Sequence, residues 1–262
     1  MALAHNPADG AELSYDAVGE GPPILLVHGS ALSKAIWRGF GYTKALREDY
    51  RVIAMDLRGH GRSSKPHTAG AYAMDTLVAD ALAVLDDAGA AQAHFGGYSV
   101  GGRLGFSLAA AAPERLLSLA TFGGTYRIQP GSVGELFFPE YDAALGSGGM
   151  AAFVAGWEAH MGTSLDGQTR AAFLANDGQA LRAYFAHTEA EPAIPEDVLA
   201  AIEVPALLMA GTADTARLED SRRAAALMPR ARVAALPGRT HGSSLVPAQP
   251  VLDEWLPFLR GL

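Results

Sequence analysis

Gly97-Tyr98-Ser99-Val100-Gly101 is the one G-x-S-x-G pattern in the chain, and it stands between an apolar run and a stretch of helical spacing. Glycines two residues to either side of a serine let the backbone turn sharply from strand into helix without a Cβ clash, which leaves the hydroxyl exposed at the strand end. A serine hydroxyl is a poor nucleophile until a base takes its proton. Of the eight histidines, His241 is suited to that task, in the loop Pro237-Gly238-Arg239-Thr240-His241-Gly242 directly after the last apolar run. His28, ahead of Gly29 at a strand end, reads as turn-stabilising, and His94 lies within the run that leads to Ser99. His5 and His67 fall in exposed segments, and His160 and His187 in helical stretches.

An imidazole base needs a carboxylate that fixes its tautomer and stabilises the imidazolium. Asp214 follows the apolar run ALLMAG on a strand-end loop. Asp56 precedes the serine, Asp86 and Asp87 come late in a helix, and Glu219 and Asp220 lie in the next one. The expected catalytic set is therefore Ser99 as nucleophile, Asp214 as acid partner and His241 as base, in that chain order. An attacked carbonyl also needs donors aimed at its developing oxyanion. The backbone N–H groups of Val100, next to the nucleophile, and of Ser30, in the turn His28-Gly29-Ser30, are expected to supply them. Activity is expected to rise with pH as His241 loses its proton, around pH 6–7.

The elements that position these residues are legible as alternating short apolar runs and longer amphipathic stretches. Strands are expected over 24–28, 51–56, 93–99, 116–124, 206–211 and 231–237, with helices over 33–48, 74–87 and 100–112. Continuous apolar strands separated by helices imply a mostly parallel α/β sheet with helices on both faces. Residues 126–195 break the pattern: they hold no strand-like run, but they show helical spacing over 150–161 and 169–177 around a loop-like GSGG. They read as a small helical cap inserted in a core made of 1–125 and 196–262.

Hydrophobic residues make up 49% and charged residues 18% of the 262, which suits a packed globular domain. The net charge of −8 with no basic cluster gives no support for a nucleic-acid partner or an anionic membrane surface. The absence of cysteine excludes disulfides, thiolate nucleophiles and cysteine-type zinc sites. No apolar run reaches membrane-spanning length and the N-terminus shows no secretory pattern, so a cytoplasmic location is expected. No P-loop, HExxH, EF-hand or dinucleotide fingerprint is present, so no cofactor is implied. HTEAE (187–191) reads as a solvated edge rather than a metal site, and no metal is expected.

HGSALSKAIW, RVIAMDLRGHGRSSKP, GYSVGG, LLMAGTAD and PGRTHG occur in an order and spacing that resemble the α/β-hydrolase superfamily. The stretch from HTAGAYAMDTLVADALAVLDDAG through HFGGYSVGG to PERLLSLATFGG looks like its carboxylesterase and enol-lactonase branch. The resemblance implies the α/β-hydrolase fold, with Ser99, Asp214 and His241 as triad and Ser30 and Val100 as oxyanion donors. It also implies that DLRGHGRSSKP is mainly structural. A serine at the elbow, where dehalogenases and soluble epoxide hydrolases carry aspartate, argues against both of those activities. The expected reaction is hydrolysis of a small, largely uncharged carboxylic ester or lactone through an acyl-enzyme. The same triad also suits an acyltransferase or perhydrolase, or a triad-retaining small-molecule receptor. The aromatics Phe137, Phe138, Tyr141, Phe153, Trp157, Phe173, Tyr184 and Phe185 are candidates to line an acyl pocket or to form the insertion's own core. Of these, Phe138 and Trp157, with Trp37 from the core, stand as candidate substrate contacts. Oligomeric state is not legible.

Overall fold

A computed structural model describes residues 1–262. Its centre is one eight-stranded sheet in the order β1-β2-β4-β3-β5-β6-β7-β8. The strands are β1 (Ala2–His5), β2 (Glu12–Val18), β3 (Pro23–Val27), β4 (Arg51–Met55), β5 (Ala93–Tyr98), β6 (Leu116–Phe122), β7 (Ala206–Gly211) and β8 (Ala231–Leu236). From β4 to β8 all neighbours pair in parallel, whereas β2 joins β4 and β1 joins β2 antiparallel.

The helices are α1 (Ala35–Gly39), α2 (Tyr42–Leu46), α3 (Met74–Asp87), α4 (Val100–Ala111), α5 (Ser132–Leu136), α6 (Tyr141–Met161), α7 (Gly167–Leu174), α8 (Gly178–Thr188), α9 (Glu196–Ala200), α10 (Thr215–Leu227) and α11 (Gln249–Arg260). Side chains alternate across each strand, so the apolar runs feed two cores at once. Leu25, Val27, Ile53, Phe95, Leu119 and Leu208 face α3, α4 and α10 in a core of 49 buried residues. Ile24, Leu26, Val52, Ala120, Phe122 and Leu207 face α1, α2 and α11 in a core of 20. Burial on both faces explains why the central strands read as unbroken apolar runs.

Two expectations are refined. The single helix over 33–48 is two short helices, because Gly41 takes φ 92, a left-handed conformation that glycine adopts at no steric cost, and starts the chain on a new axis. The second refinement concerns the helices between β6 and β7, where the chain runs through α5 to α9 without a strand, in keeping with the sequence reading. There the backbone of α6 breaks at Gly149 (φ 60, ψ −149), so a fresh helical run begins at Met150. The 169–177 stretch is likewise divided. Asp166 accepts from Gln168 N and Thr169 N to cap α7, and Asp177 accepts from Gln179 N and Ala180 N to cap α8.

Candidate active site

Strand β5 delivers Ser99 and helix α4 leaves from it. Ser99 sits at φ 56, ψ −119, a conformation that costs a residue with a side chain of order 1–3 kcal/mol and persists only where the surroundings impose it. Here they do. A Cβ at Gly101 would lie 2.4 Å from Val27 O, so only glycine lets α4 start this close to β3. The Ser99 N–H donates to Phe122 O at 3.0 Å, which fastens the turn to β6.

The loops after β7 and β8 bring Asp214 and His241 to this turn. Ser99 Oγ lies 3.0 Å from His241 Nε2, and His241 Nδ1 lies 3.0 Å from Asp214 Oδ2. A carboxylate beside Nδ1 places the ring proton there, which leaves Nε2 as the acceptor for the serine hydroxyl. Burial pushes the His241 pKa below its ordinary 6.5, and the Arg217 charge adds to this, while the Asp214 hydrogen bond partly restores it. Burial works to raise Asp214, but the His241 hydrogen bond and Arg217 outweigh it and hold the carboxyl below the usual range. Two residues that the sequence reading did not select complete the arrangement. Arg217, in the first turn of α10, gives Nη1 to Asp214 Oδ1 at 3.1 Å. Tyr98 donates its hydroxyl to His241 O at 2.9 Å and stacks on the imidazole with ring centres 5.3 Å apart. The i, i+3 spacing of Asp214 and Arg217 is a signal that was available; Tyr98 occupies a variable place in its motif and gives none.

The turn after β3 carries Ser30. It is fastened from four sides. His28 Nδ1 donates to Gly29 O at 2.7 Å, and Ala31 N donates to His60 Nε2 at 3.0 Å. Asn176 Nδ2 donates to Ala31 O at 2.9 Å, and Ser30 Oγ meets Tyr184 Oη at 2.9 Å. Val100 opens α4, so its N–H is among those that a helix start leaves without an intrahelical acceptor, at the positive end of the helix dipole. Ser30, Ser99 and Val100 line one cavity of about 120 Å³.

The wall of that cavity corrects the expected substrate contacts. Trp37 is fully buried on the far face of the sheet, edge-on to Tyr42 with centres 5.4 Å apart. Phe138 packs on Phe153 at 5.4 Å, and Trp157 on Phe173 at 4.9 Å. None of the three reaches the Ser99 cavity, where Phe185 is the one aromatic ring. The aromatics of 126–195 pack mainly on one another. His28 and His60 are buried and hold loop backbone: His28 Nε2 accepts from Leu57 N at 3.0 Å. Asp56 binds Lys34 Nζ at 2.6 Å, and Arg58 pairs with Asp80 at 2.7 Å, so the DLRGHGRSSKP segment is a structural knot. No three histidine, aspartate or glutamate side chains converge closely enough to hold a metal ion, and no helix is long and apolar enough to cross a membrane.

Residues 22–196 match the sequence model of the alpha/beta hydrolase fold. A protein of Azorhizobium caulinodans, provisionally named a carbamate hydrolase, is 38% identical over 117 residues, 45% of this chain and 43% of that protein. The match thus spans less than half the length of this curated relative. Among solved structures, the enol-lactonase of Burkholderia xenovorans superposes with a TM-score of 0.81 at 26% identity, covering 96% of this chain and 98% of its own. An esterase of a Rhodococcus species superposes equally well, with a TM-score of 0.81 at 26% identity over 100% of this chain and 98% of its own.

Proposed function

The chain belongs to the α/β-hydrolase fold family, and from that premise we propose that it hydrolyses a small carboxylic ester or lactone through an acyl-enzyme on Ser99. The observation that carries this reading is the unbroken relay of two 3.0 Å contacts from Ser99 Oγ through His241 to Asp214. His241 Nε2 takes the hydroxyl proton as Oγ bonds to the carbonyl carbon, and the carbonyl π pair moves onto oxygen. The Ser30 and Val100 N–H groups receive that oxyanion. Collapse re-forms the carbonyl and breaks the bond to the alkoxy oxygen, which leaves with the proton held on His241. Water then repeats the sequence, giving its proton to His241 as its oxygen bonds to the acyl carbon, and the carboxylic acid departs as Oγ regains a proton. Asp214 stays ionised throughout and stabilises the imidazolium.

We read residues 126–195 as the cap of this site. Asn176 and Tyr184, which touch the Ser30 turn, and Phe185, on the cavity wall, all come from it.

A small fluorophosphonate is expected to label Ser99 and to abolish turnover of p-nitrophenyl esters. Ser99→Ala and His241→Ala should each lower kcat by about four to six orders of magnitude, because the two act as a unit. Near-native rates in either variant would overturn the proposal.

A further inference from the structure

The cations around the Ser99 cavity are unequally satisfied. Arg127, from the loop after β6, gives Nε and Nη2 to Asp220 at 3.0 and 2.6 Å. Arg217 gives Nη1 to Asp214 at 3.1 Å. Arg103 also lines this cavity, one turn along α4 from Ser99, with its N–H on Ser99 O at 3.1 Å. It is only 3% exposed, yet its guanidinium forms no salt bridge. Its Nη1 is spent on the Ser107 hydroxyl and its Nη2 on Pro192 O, both neutral acceptors, while Nε–H is buried without any partner. Glu191 acts on it through space, but its own hydrogen bonds go to Met74 N at 3.3 Å and His187 Nε2 at 3.2 Å.

Buried cations ordinarily have a carboxylate and buried donors ordinarily have an acceptor. Burial pulls the Arg103 guanidinium down to about 10, with Glu191 opposing the shift, so two neutral acceptors and a distant carboxylate offset the cost of burying the charge only in part. A desolvated charge on the wall of a reactive cavity is a candidate for a functional role.

We propose that the substrate bears a free carboxylate besides its ester or lactone group, received by Arg103 with Arg127 and Arg217 flanking it. This rests on the Ser99 reading above and narrows its substrate class. It also reverses the expectation of a largely uncharged substrate. A cavity of about 120 Å³ suits a short substrate, which points to short dicarboxylic half-esters or small carboxylated lactones.

Monoethyl glutarate and ethyl glutaramate differ only in carboxylate against amide. Each is tested as a protectant of Ser99 against a small fluorophosphonate at low salt. The carboxylate is expected to halve labelling at a concentration about tenfold below that of the amide, the scale of a charge-assisted hydrogen bond. In Arg103→Met and Arg127→Met this preference should fall to less than about threefold, and Arg103→Lys, which keeps the charge but loses Nε–H, should lie between. The Lys variant also serves if the Met variant fails to fold. Equal protection by both compounds, or protection by neither, overturns the carboxylate proposal while the Ser99 reading stands. A preference undiminished in all three variants overturns the assignment to Arg103 and Arg127. Failure of the phosphonate to label Ser99 at all removes the reading on which the proposal rests.

Discussion

Arg217 shares the Asp214 carboxylate with His241, and its charge joins burial in lowering the pH at which the imidazole, the proposed base, becomes neutral. A base works when neutral, so a depressed histidine pKa extends activity to lower pH. Burial and the Arg217 charge both depress His241. The rising limb of kcat/KM on a neutral ester should therefore have its midpoint below pH 6.5, toward or under the lower end of the range expected from the sequence. Arg217→Met removes one of the two depressing influences and should move that midpoint upward. A midpoint unmoved or lowered in this variant would show that the guanidinium does not act on the imidazole. Residue identity made the proposed triad of Ser99, Asp214 and His241 legible as candidates, because few side chains can attack, take a proton or orient a ring, and chain order restricts them further. It failed at Trp37, Phe138 and Trp157. An aromatic ring declares only that it favours burial, and whether it is buried against substrate or against other rings is settled by packing.

At the scale of the element, the approach of α4 to β3 fixes the turn that carries Ser99, the proposed nucleophile. Gly101→Ala would set a methyl 2.4 Å from Val27 O, backbone that has no room to yield. The expected outcome is a loss of about 1–3 kcal/mol in stability by urea denaturation. Fluorophosphonate labelling should slow as well, because the turn opens. An unchanged denaturation midpoint would mean that the two elements are free to separate. The strands and helices of the central α/β units were readable because two-sided burial writes a continuous apolar run. β1 and β2 were not. β1, the edge strand, is four residues long, and β2, Glu12–Val18, one strand in, mixes polar with apolar residues and is exposed at both ends, so no unbroken run is required. The break at Gly41 was similarly obscured, since the apolar spacing continues across two short helices on different axes.

For the whole molecule, buried histidines set the acid limit. Burial lowers His28, His94 and His241, and it takes His60 down to about 3. An unfolded chain takes up protons on these groups near pH 6.5 that the folded protein refuses, so stability is full above pH 6.5 and declines as pH falls toward the folded values. Each such group contributes a slope approaching about 1.4 kcal/mol per pH unit. Urea midpoints should fall steeply between pH 6.5 and 5, above the range in which carboxylates titrate, and His60→Gln should lessen the fall. A midpoint constant over that interval would contradict the neutral, buried state of these rings. The fastening of the Ser30 turn by Asn176 and Tyr184 bears on how this scaffold can be re-engineered. Swapping 126–195, the proposed cap, for the equivalent stretch of a relative would exchange more than part of the cavity wall. The graft would also discard two of the four struts of the turn, so a productive chimera must bring an amide and a phenol of its own to those places or carry these two residues across the junction.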